Sequence, residues 1–242
     1  MGARVIAIED GDFYSKYEYV ADAETGVDFV APAVDGALEY ILSIAPAGAK
    51  IQLMEGEYQA PNAGAANAFT LSHPVSIIGA GEDETVIRGH LFINFDGGAG
   101  HQDYSDGSQY DIVFSDFTME DDVTDAQVAI NTGSANYARE NYSFTIENVT
   151  FEDYLFGVQL ASGYANNTMA MDNVHFENVW CAASMKDTNV LTMNECTFGD
   201  TVEYQYQTWG GSDGNVYYET FDDETSKVEG SEVEMPEVDE WV

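Results

Sequence analysis

Four segments in the middle of the chain repeat one pattern of apolar and polar positions. An apolar residue is followed by a second one three positions later, then by Phe or Met after two more, then by Asp or Asn. Apolar residues two positions apart are typical of a β-strand, and the closing Asp or Asn suits a turn. The four sets are Phe114, Phe117, Met119 and Asp121; Ile146, Val149, Phe151 and Asp153; Met171, Val174, Phe176 and Asn178; and Met193, Cys196, Phe198 and Asp200.

The distances between these segments predict a solenoid. Their first positions are 32, 25 and 22 residues apart, and each of three segments has a second short strand after its turn, ending at Ile130, Leu160 and Met185. A repeat of this length is about one coil, and a single coil cannot bury its apolar side without a neighbour. We therefore expect stacked coils with parallel strands, in which Phe151, Phe176 and Phe198 form one interior column.

A helical pattern precedes the repeats. Apolar residues recur at spacings of three and four between Val34 and Ala45, which predicts a helix over about 34–45. Pro46 and Gly48 end it, and a strand is expected over 50–58. Such a helix would cover the open N-terminal end of a solenoid and protect its strand edges.

These segments resemble a known family. The helix, Ala-Pro-x-Gly and then I-x-L-x-x-G-x-Y at 45–58, together with PVSIIGAGEDETVIRG at 74–89, look like the opening coils of pectin-lyase-like proteins. The resemblance covers about 32–200. It implies an all-β, right-handed parallel β-helix with an N-terminal capping helix and coils over about 50–200. Enzymes of this superfamily cleave or de-esterify acidic polysaccharides, so the resemblance also raises the question whether their catalytic residues are present in this chain.

The repeat ends after Asp200, and a different pattern follows. VEYQYQTW, GGSDGN and VYYETF predict a hairpin over 202–221, which would complete a single domain over 1–221. Residues 222–242 form an acidic tail that we expect to dock on another chain or to remain undocked. Aromatic residues in these segments are candidates for stacking on a glycan or packing on another subunit, with packing in the core as the other use: Tyr204, Tyr206, Trp209, Tyr217 and Trp241.

The net charge of the chain limits the classes of partner it can bind and indicates the salt concentration of its environment. Seven Lys and Arg against 44 Asp and Glu give 242 residues a formal net charge of −37. Repulsion between like charges extends over about 10 Å at 0.1 M salt and about 3 Å at 1 M. The composition therefore favours a protein of a halophilic host, although an ordinary acidic protein remains an alternative. Phosphate binding needs a basic face, so nucleic acid is excluded as a partner.

Two further features bear on location and redox state. The first apolar run is too short for a signal peptide, and no stretch is long enough to insert in a membrane. An extracellular or virion location is expected, with the leader either removed or not needed. Cys196 occupies a core position of the repeat, and the sequence leaves open whether it is bonded to Cys181.

The catalytic groups that the resemblance implies are not recognisable. A lyase of this superfamily uses Ca²⁺ and a basic residue, but Arg4, Arg88 and Arg139 fall in different parts of the repeat order. The Asp, Gln and Arg set of a pectin methylesterase is also missing. We therefore predict no catalytic residues.

Metal binding has weak candidates. The histidines lack metal-ligand spacing, although His175 is expected to point outward from the repeat. The closest cluster of carboxylates is Asp121, Asp122 and Asp125, which could hold Ca²⁺ or could be solvated turn residues.

These observations favour a non-enzymatic structural or attachment protein. The expected setting is a virion surface or tail component, or a cell-surface appendage, in which the chain contacts other subunits of an oligomer. The alternatives are an extracellular polysaccharide-active enzyme (lyase, esterase or hydrolase) and a module that binds a cell-surface glycan. This choice rests on analogy between folds.

Overall fold

A computed structural model describes residues 26–63, 66–95, 104–121, 128–132, 139–160, 164–186, 189–209, 216–219, 221–222 and 226–227. The helix of this part is α1, Ala37–Ile44. The strands are β1 Phe29–Ala31, β2 Lys50–Leu53, β3 Gly56–Gln59, β4 Asn62–Ala63, β5 Ala66–Leu71, β6 Ser76–Ile78, β7 Thr85–Arg88, β8 His90–Ile93, β9 Asp111–Glu120, β10 Val128–Thr132, β11 Arg139–Glu140, β12 Ser143–Leu160, β13 Tyr164–Ala165, β14 Thr168–Lys186, β15 Val190–Asn194, β16 Thr197–Phe198, β17 Tyr204–Trp209, β18 Val216–Glu219, β19 Phe221–Asp222 and β20 Ser226–Lys227.

Parallel pairing stacks these strands into three faces of a solenoid. The first face contains β1, β2, β6, the first halves of β9, β12 and β14, and β15. The second face contains β3, β7, the later parts of β9, β12 and β14, and β16. The third face contains β5, β8, β10, the ends of β12 and β14, and β17. The predicted all-β parallel β-helix is confirmed.

The register of the strands confirms the alignment of the repeats. Phe151 lies opposite Met119 on one side and opposite Phe176 on the other, and Phe176 lies opposite Phe198. The rings of Phe151 and Phe176 stack with centroids 5.3 Å apart, and those of Phe176 and Phe198 stack at 5.5 Å. Phe151 and Phe176 are fully buried and Phe198 is half-buried. The column holds because equal positions of successive coils face the same interior.

Polar side chains form ladders at the corners between faces. Asn148 Nδ2 donates to Asp116 Oδ1 at 2.9 Å, and Asn173 Nδ2 donates to Asn148 Oδ1 at 2.9 Å. All three residues have positive φ, which Asn and Asp tolerate better than other side chains. At the next corner Asn178 Nδ2 donates to Asp153 Oδ1 at 2.5 Å. These Asp and Asn residues therefore suit the turn conformation and connect neighbouring coils through their side chains.

The helix is shorter than predicted at its start. It begins at Ala37 because Gly36 has φ 77°, a left-handed conformation that an α-helix cannot include. Val34 lies outside the helix and is 46% exposed. The face formed by Leu38, Ile41 and Leu42 is buried and belongs to the main core, as expected for a cap.

The C-terminal part forms the predicted hairpin. Strand β17 pairs in parallel with β14 and antiparallel with β18, with Trp209 opposite Val216. Residues 228–242 lie outside the described residues. In the part that the structure describes, no helix is long and apolar enough to cross a membrane.

Candidate functional site on the second face

The second face of the solenoid presents two outward rows of side chains. They alternate with the inward Phe column, so Thr150 and Glu152 point outward on either side of Phe151. Successive members of a row lie on neighbouring strands, which are about 4.8 Å apart. One row contains Glu57, Val86, Thr118, Thr150, His175 and Thr197, and the other contains Gln59, Arg88, Glu120, Glu152 and Glu177.

The hydroxyl groups of the first row are held by neighbours. Thr118 Oγ1 donates to the Glu82 carbonyl oxygen at 2.9 Å, and Thr150 Oγ1 donates to Glu82 Oε1 at 3.0 Å. His175 Nδ1 is hydrogen-bonded to Thr197 Oγ1 at 2.7 Å. The turn that contains Glu82 is thereby tied to the face, which leaves Thr and His side chains in fixed orientations.

The second row brings carboxylates together on neighbouring strands. Burial is the largest cause of a raised pKa for the Glu152 carboxyl, and the carboxylates of Asp153 and Glu120 raise it further. Glu177 acts in the same direction and His175 opposes it. A row of carboxylates beside a row of hydroxyls could bind sugar hydroxyls, and Glu152 is the carboxyl group of the row whose pKa is raised.

Arg88, the cation of the second row, is paired with two carboxylates. Its Nη1 lies 2.8 Å from Glu120 Oε1, and its Nε lies 3.3 Å from Glu57 Oε2. Hydrogen bonds to Glu57 and Glu120 are the largest causes of a raised guanidinium pKa. Arg88 therefore links three neighbouring strands, β3, β7 and β9, through one cation.

Arg139 lies in the interior of the solenoid, where its guanidinium group contacts the protein backbone. It is buried, and its Nη2 donates to the Phe95 carbonyl oxygen at 3.3 Å. Its own carbonyl oxygen accepts a hydrogen bond of 3.2 Å from Asn167 Nδ2. Arg88 and Arg139 are therefore not brought together in one groove, as their separation in the repeat order predicted. Arg4 lies outside the described residues.

The predicted aromatic surface is only partly present. Tyr204 is half-buried and packs edge-on against Trp180, whose Nε1 donates to Glu203 Oε2 at 3.1 Å. Tyr206 is 8% exposed and belongs to the main core, opposite Ala183. Of the uses that the sequence left open, Tyr206 has the core position, because β17 joins the third face and directs this ring into the solenoid.

The other predicted contact residues are placed less completely. Trp209 and Tyr217 lie on the paired strands β17 and β18, but their side chains are outside the described part. Trp241 is outside it altogether. Their role in binding a glycan or another subunit stays a prediction.

Of the three candidate calcium ligands, the structure describes Asp121. Asp121 is buried, and its backbone N donates to the Glu152 carbonyl oxygen at 3.3 Å. Asp122 and Asp125 lie outside the described residues, so this Ca²⁺ site stays a prediction. Among the residues with a described placement, no group of three or more His, Cys, Asp or Glu could hold a metal ion.

Both cysteines are free thiols. Cys181 is fully buried, and burial raises the pKa of its thiol. Cys196 is half-buried in the last coil, and burial again is the main cause of its raised pKa. Cys196 occupies the expected core position, but it is less enclosed than expected because no later coil covers it in the described part.

The outward rows escaped the sequence analysis, although the repeat contains a signal for them. The tripeptides TME, TFE and HFE occur at 118–120, 150–152 and 175–177, and TFG follows at 197–199. Each places a hydroxyl or imidazole before the interior residue, and the first three place a glutamate after it. The apolar positions predict that His175 points outward, but they do not single out the hydroxyl and glutamate neighbours as aligned rows.

Comparison with known proteins shows the fold. No protein-family model matches the chain, and no curated protein matches it significantly. Among solved structures, the PL6-family alginate lyase AlyGC is similar, with a TM-score of 0.51 and 14% sequence identity. The match covers 78% of this chain but 31% of that structure. The chain therefore has the right-handed parallel β-helix fold, and its resemblance to the pectin-lyase-like proteins is confirmed at the level of the fold.

Proposed function

We propose that this chain is a non-enzymatic structural or attachment module. The observation that carries the proposal is the use of its two described arginines. A lyase or esterase acting on a uronic-acid polymer needs positive charge or a metal where the substrate carboxylate binds. Arg88 is balanced by Glu57 and Glu120, and Arg139 is buried against the Phe95 carbonyl oxygen.

The contacts between neighbouring coils suit a rigid module. Stacked Phe rings fill the interior, and Asx ladders hold the corners in register over successive coils. Each coil is stabilised chiefly by its neighbours, so rigidity extends along the stack. A rod of this kind can hold a binding surface at a fixed distance and orientation.

The proposed setting is the surface of a virion or its tail, or a cell-surface appendage, of a halophilic host. The net charge of −37 supports a salty environment, because self-repulsion weakens as salt shortens its range. The proposed partners are other protein subunits, contacted by the hairpin that contains Trp209 and Tyr217. The module acts outside the cell in this proposal.

A glycan-active or glycan-binding protein is the second candidate. The observation that favours it is the second face, where Thr150 and His175 lie beside Glu152 and its raised pKa. Glycoside hydrolysis uses a protonated carboxyl and a carboxylate on opposite sides of one bond. Flat rows of hydroxyls and carboxylates could also bind sugar hydroxyls without turnover.

An activity assay separates the two candidates. The protein is incubated in 1 M KCl with pectins, alginate and neutral glycans, with and without Ca²⁺, and the released oligosaccharides are measured. We expect no product. The matched variants are Glu152→Gln on the second face and Glu147→Gln at an exposed position outside it. Product release that is abolished by Glu152→Gln and kept by Glu147→Gln would overturn the structural proposal.

A binding assay covers the non-catalytic form of the second candidate. A glycan array is probed with the protein and with Thr150→Ala, which removes a hydroxyl from the second face. Binding that Thr150→Ala abolishes would identify a glycan-binding module. Binding that persists in this variant, or none at all, supports a role in which the second face only stabilises the rod.

A further inference from the structure

The last coil of the solenoid is less enclosed than the coil before it. Met169, Met171, Val174 and Phe176 of β14 are at most 2% exposed. Their equivalents one coil later are half-buried, although they pack against the same core. Together with the half-buried Val202 they form the last-coil patch: Leu191, Met193, Cys196, Phe198 and Val202.

The strand edges at this end differ in the same way. Strands β15 and β16 pair with β14, and within the described ranges no strand pairs with their other edge. Strand β17 has β18 on its outer side. The uncovered part of the end is therefore the first and second faces. Terminal coils of solenoids need a cap, because open edges can pair with other chains.

The opposite end shows how this chain covers a coil. Helix α1 buries Leu38, Ile41 and Leu42 in the core beside β1 and β5. The covering element there is a short segment of the same chain, adjacent in sequence to the first coil. At the other end, residues 228–242 follow β20 and are a segment of the same chain on the C-terminal side of the last coil.

We propose that residues 228–242 of the same chain cover the last-coil patch. Strand β18 returns along β17 to place Glu219 beside Tyr206, so the chain continues from this end of the solenoid. Fifteen residues follow Lys227. At about 3.3 Å per extended residue they span about 50 Å, which exceeds the combined width of the first and second faces that they would have to cover.

The sequence of this segment fits an apolar surface. It contains Val233 and Met235 at strand spacing, followed by Val238, Trp241 and Val242. Val233 and Met235 would face the patch together, and Pro236 would end any strand they form. The aromatic ring of Trp241 supplies the largest apolar area for burial.

Charge favours this segment over a second copy of the protein. The exposed last coil carries Glu195, Asp200 and Glu203, and a second copy would bring a further net charge of −37 to it. The segment brings far fewer carboxylates, and its covalent link gives it an effective concentration of the order of millimolar. Its docking should strengthen with salt, since apolar contact opposes like-charge repulsion.

Hydrogen exchange tests the proposal. The full chain and a variant ending at Lys227 are compared in 1 M KCl. We expect truncation to speed exchange at the amides of β15 and β16 at least 10-fold, and to leave the first half of β12 unchanged. A synthetic peptide of residues 228–242 should restore part of the protection. Equal exchange in the two proteins would overturn the proposal.

Point variants and concentration distinguish the occupant. Trp241→Ala should reproduce part of the truncation effect, whereas Glu237→Gln, a matched change in the same segment, should not reduce protection. Protection should be independent of protein concentration, and both proteins should sediment as the same species. Protection that rises with concentration, or a dimer that truncation dissociates, would overturn the assignment to the same chain and identify exchange between copies.

Discussion

The central coils and the last coil share one sequence pattern but differ in burial. Phe176 and Phe198 occupy equal positions, lie opposite each other and stack at 5.5 Å. Phe176 has a further coil on its other side, where Phe151 stacks at 5.3 Å, and Phe198 has none in the described part. Place in the stack, rather than residue type, therefore decides how far each repeat is buried, and we expect its contribution to stability to follow.

The largest expected effect is at the centre of the Phe column. Phe176→Ala should lower the free energy of unfolding by about 3–5 kcal/mol, because it leaves a cavity between two stacked rings. Phe198→Ala should cost about half as much, because the structure shows Phe198 stacked on one Phe ring and Phe176 stacked on two. Urea unfolding of both variants measures the difference. Equal losses would contradict the contrast between central and terminal coils.

Salt should act on the whole stack rather than on one coil. Between dilute buffer and molar KCl the melting temperature should rise, because screening shortens the range of repulsion among 44 carboxylates. Thermal unfolding followed by circular dichroism gives the result. A flat or falling melting temperature would remove the support for a halophilic host and would leave the fold unaffected.

The corner ladder offers a smaller test within the central coils. Asn148→Ala removes the hydrogen bonds to Asp116 and Asn173 and places Ala at φ 52°. Loss of about 1–2 kcal/mol of stability is expected from hydrogen bonds of this kind and from the strained backbone. The neighbouring exposed residue provides the control, Glu147→Ala, which should change stability little. Similar values for the two variants would argue against a structural ladder.

The smallest expected effect is a gain in stability on the second face. The folded-state pKa of Glu152 is raised, so its contribution to stability is present at acid pH and is lost as pH rises through that pKa. Glu152→Gln should therefore stabilise the protein near pH 7, by about 0.2–1 kcal/mol for like charges on neighbouring strands. Melting curves from pH 4 to 8 should converge at the acid end. A variant less stable than the wild type at pH 7 would refute this explanation.

The sequence was sufficient for the interior Phe column and for the hairpin, but insufficient for the burial of Tyr206. Period and spacing identified the column of Phe151, Phe176 and Phe198, because equal inward positions must stack in a solenoid. The burial of Tyr206 could not be derived, since it depends on β17 joining the third face beside Ala183. The helix start was missed because the left-handed conformation of Gly36 interrupts an apolar pattern that still suits a helix.

The candidate site was harder to predict for a physical reason. Outward positions are not constrained by packing, so Thr150 or Glu152 alone carries no signal. Their alignment with His175 and Glu177 emerges from the register of β12 and β14. The ion pairs of Arg88 also needed coordinates, because its partners Glu57 and Glu120 belong to different coils.

The most direct test of the proposed role of the second face is Arg88→Gln, examined in one preparation for both stability and turnover. If Arg88 is structural, its loss leaves Glu57 and Glu120 without the cation that lies between their strands, and stability should fall by about 1 kcal/mol. Neither the wild type nor the variant should release oligosaccharides from alginate or pectin. Turnover by the wild type that Arg88→Gln abolishes at unchanged stability would contradict the account and identify a catalytic cation.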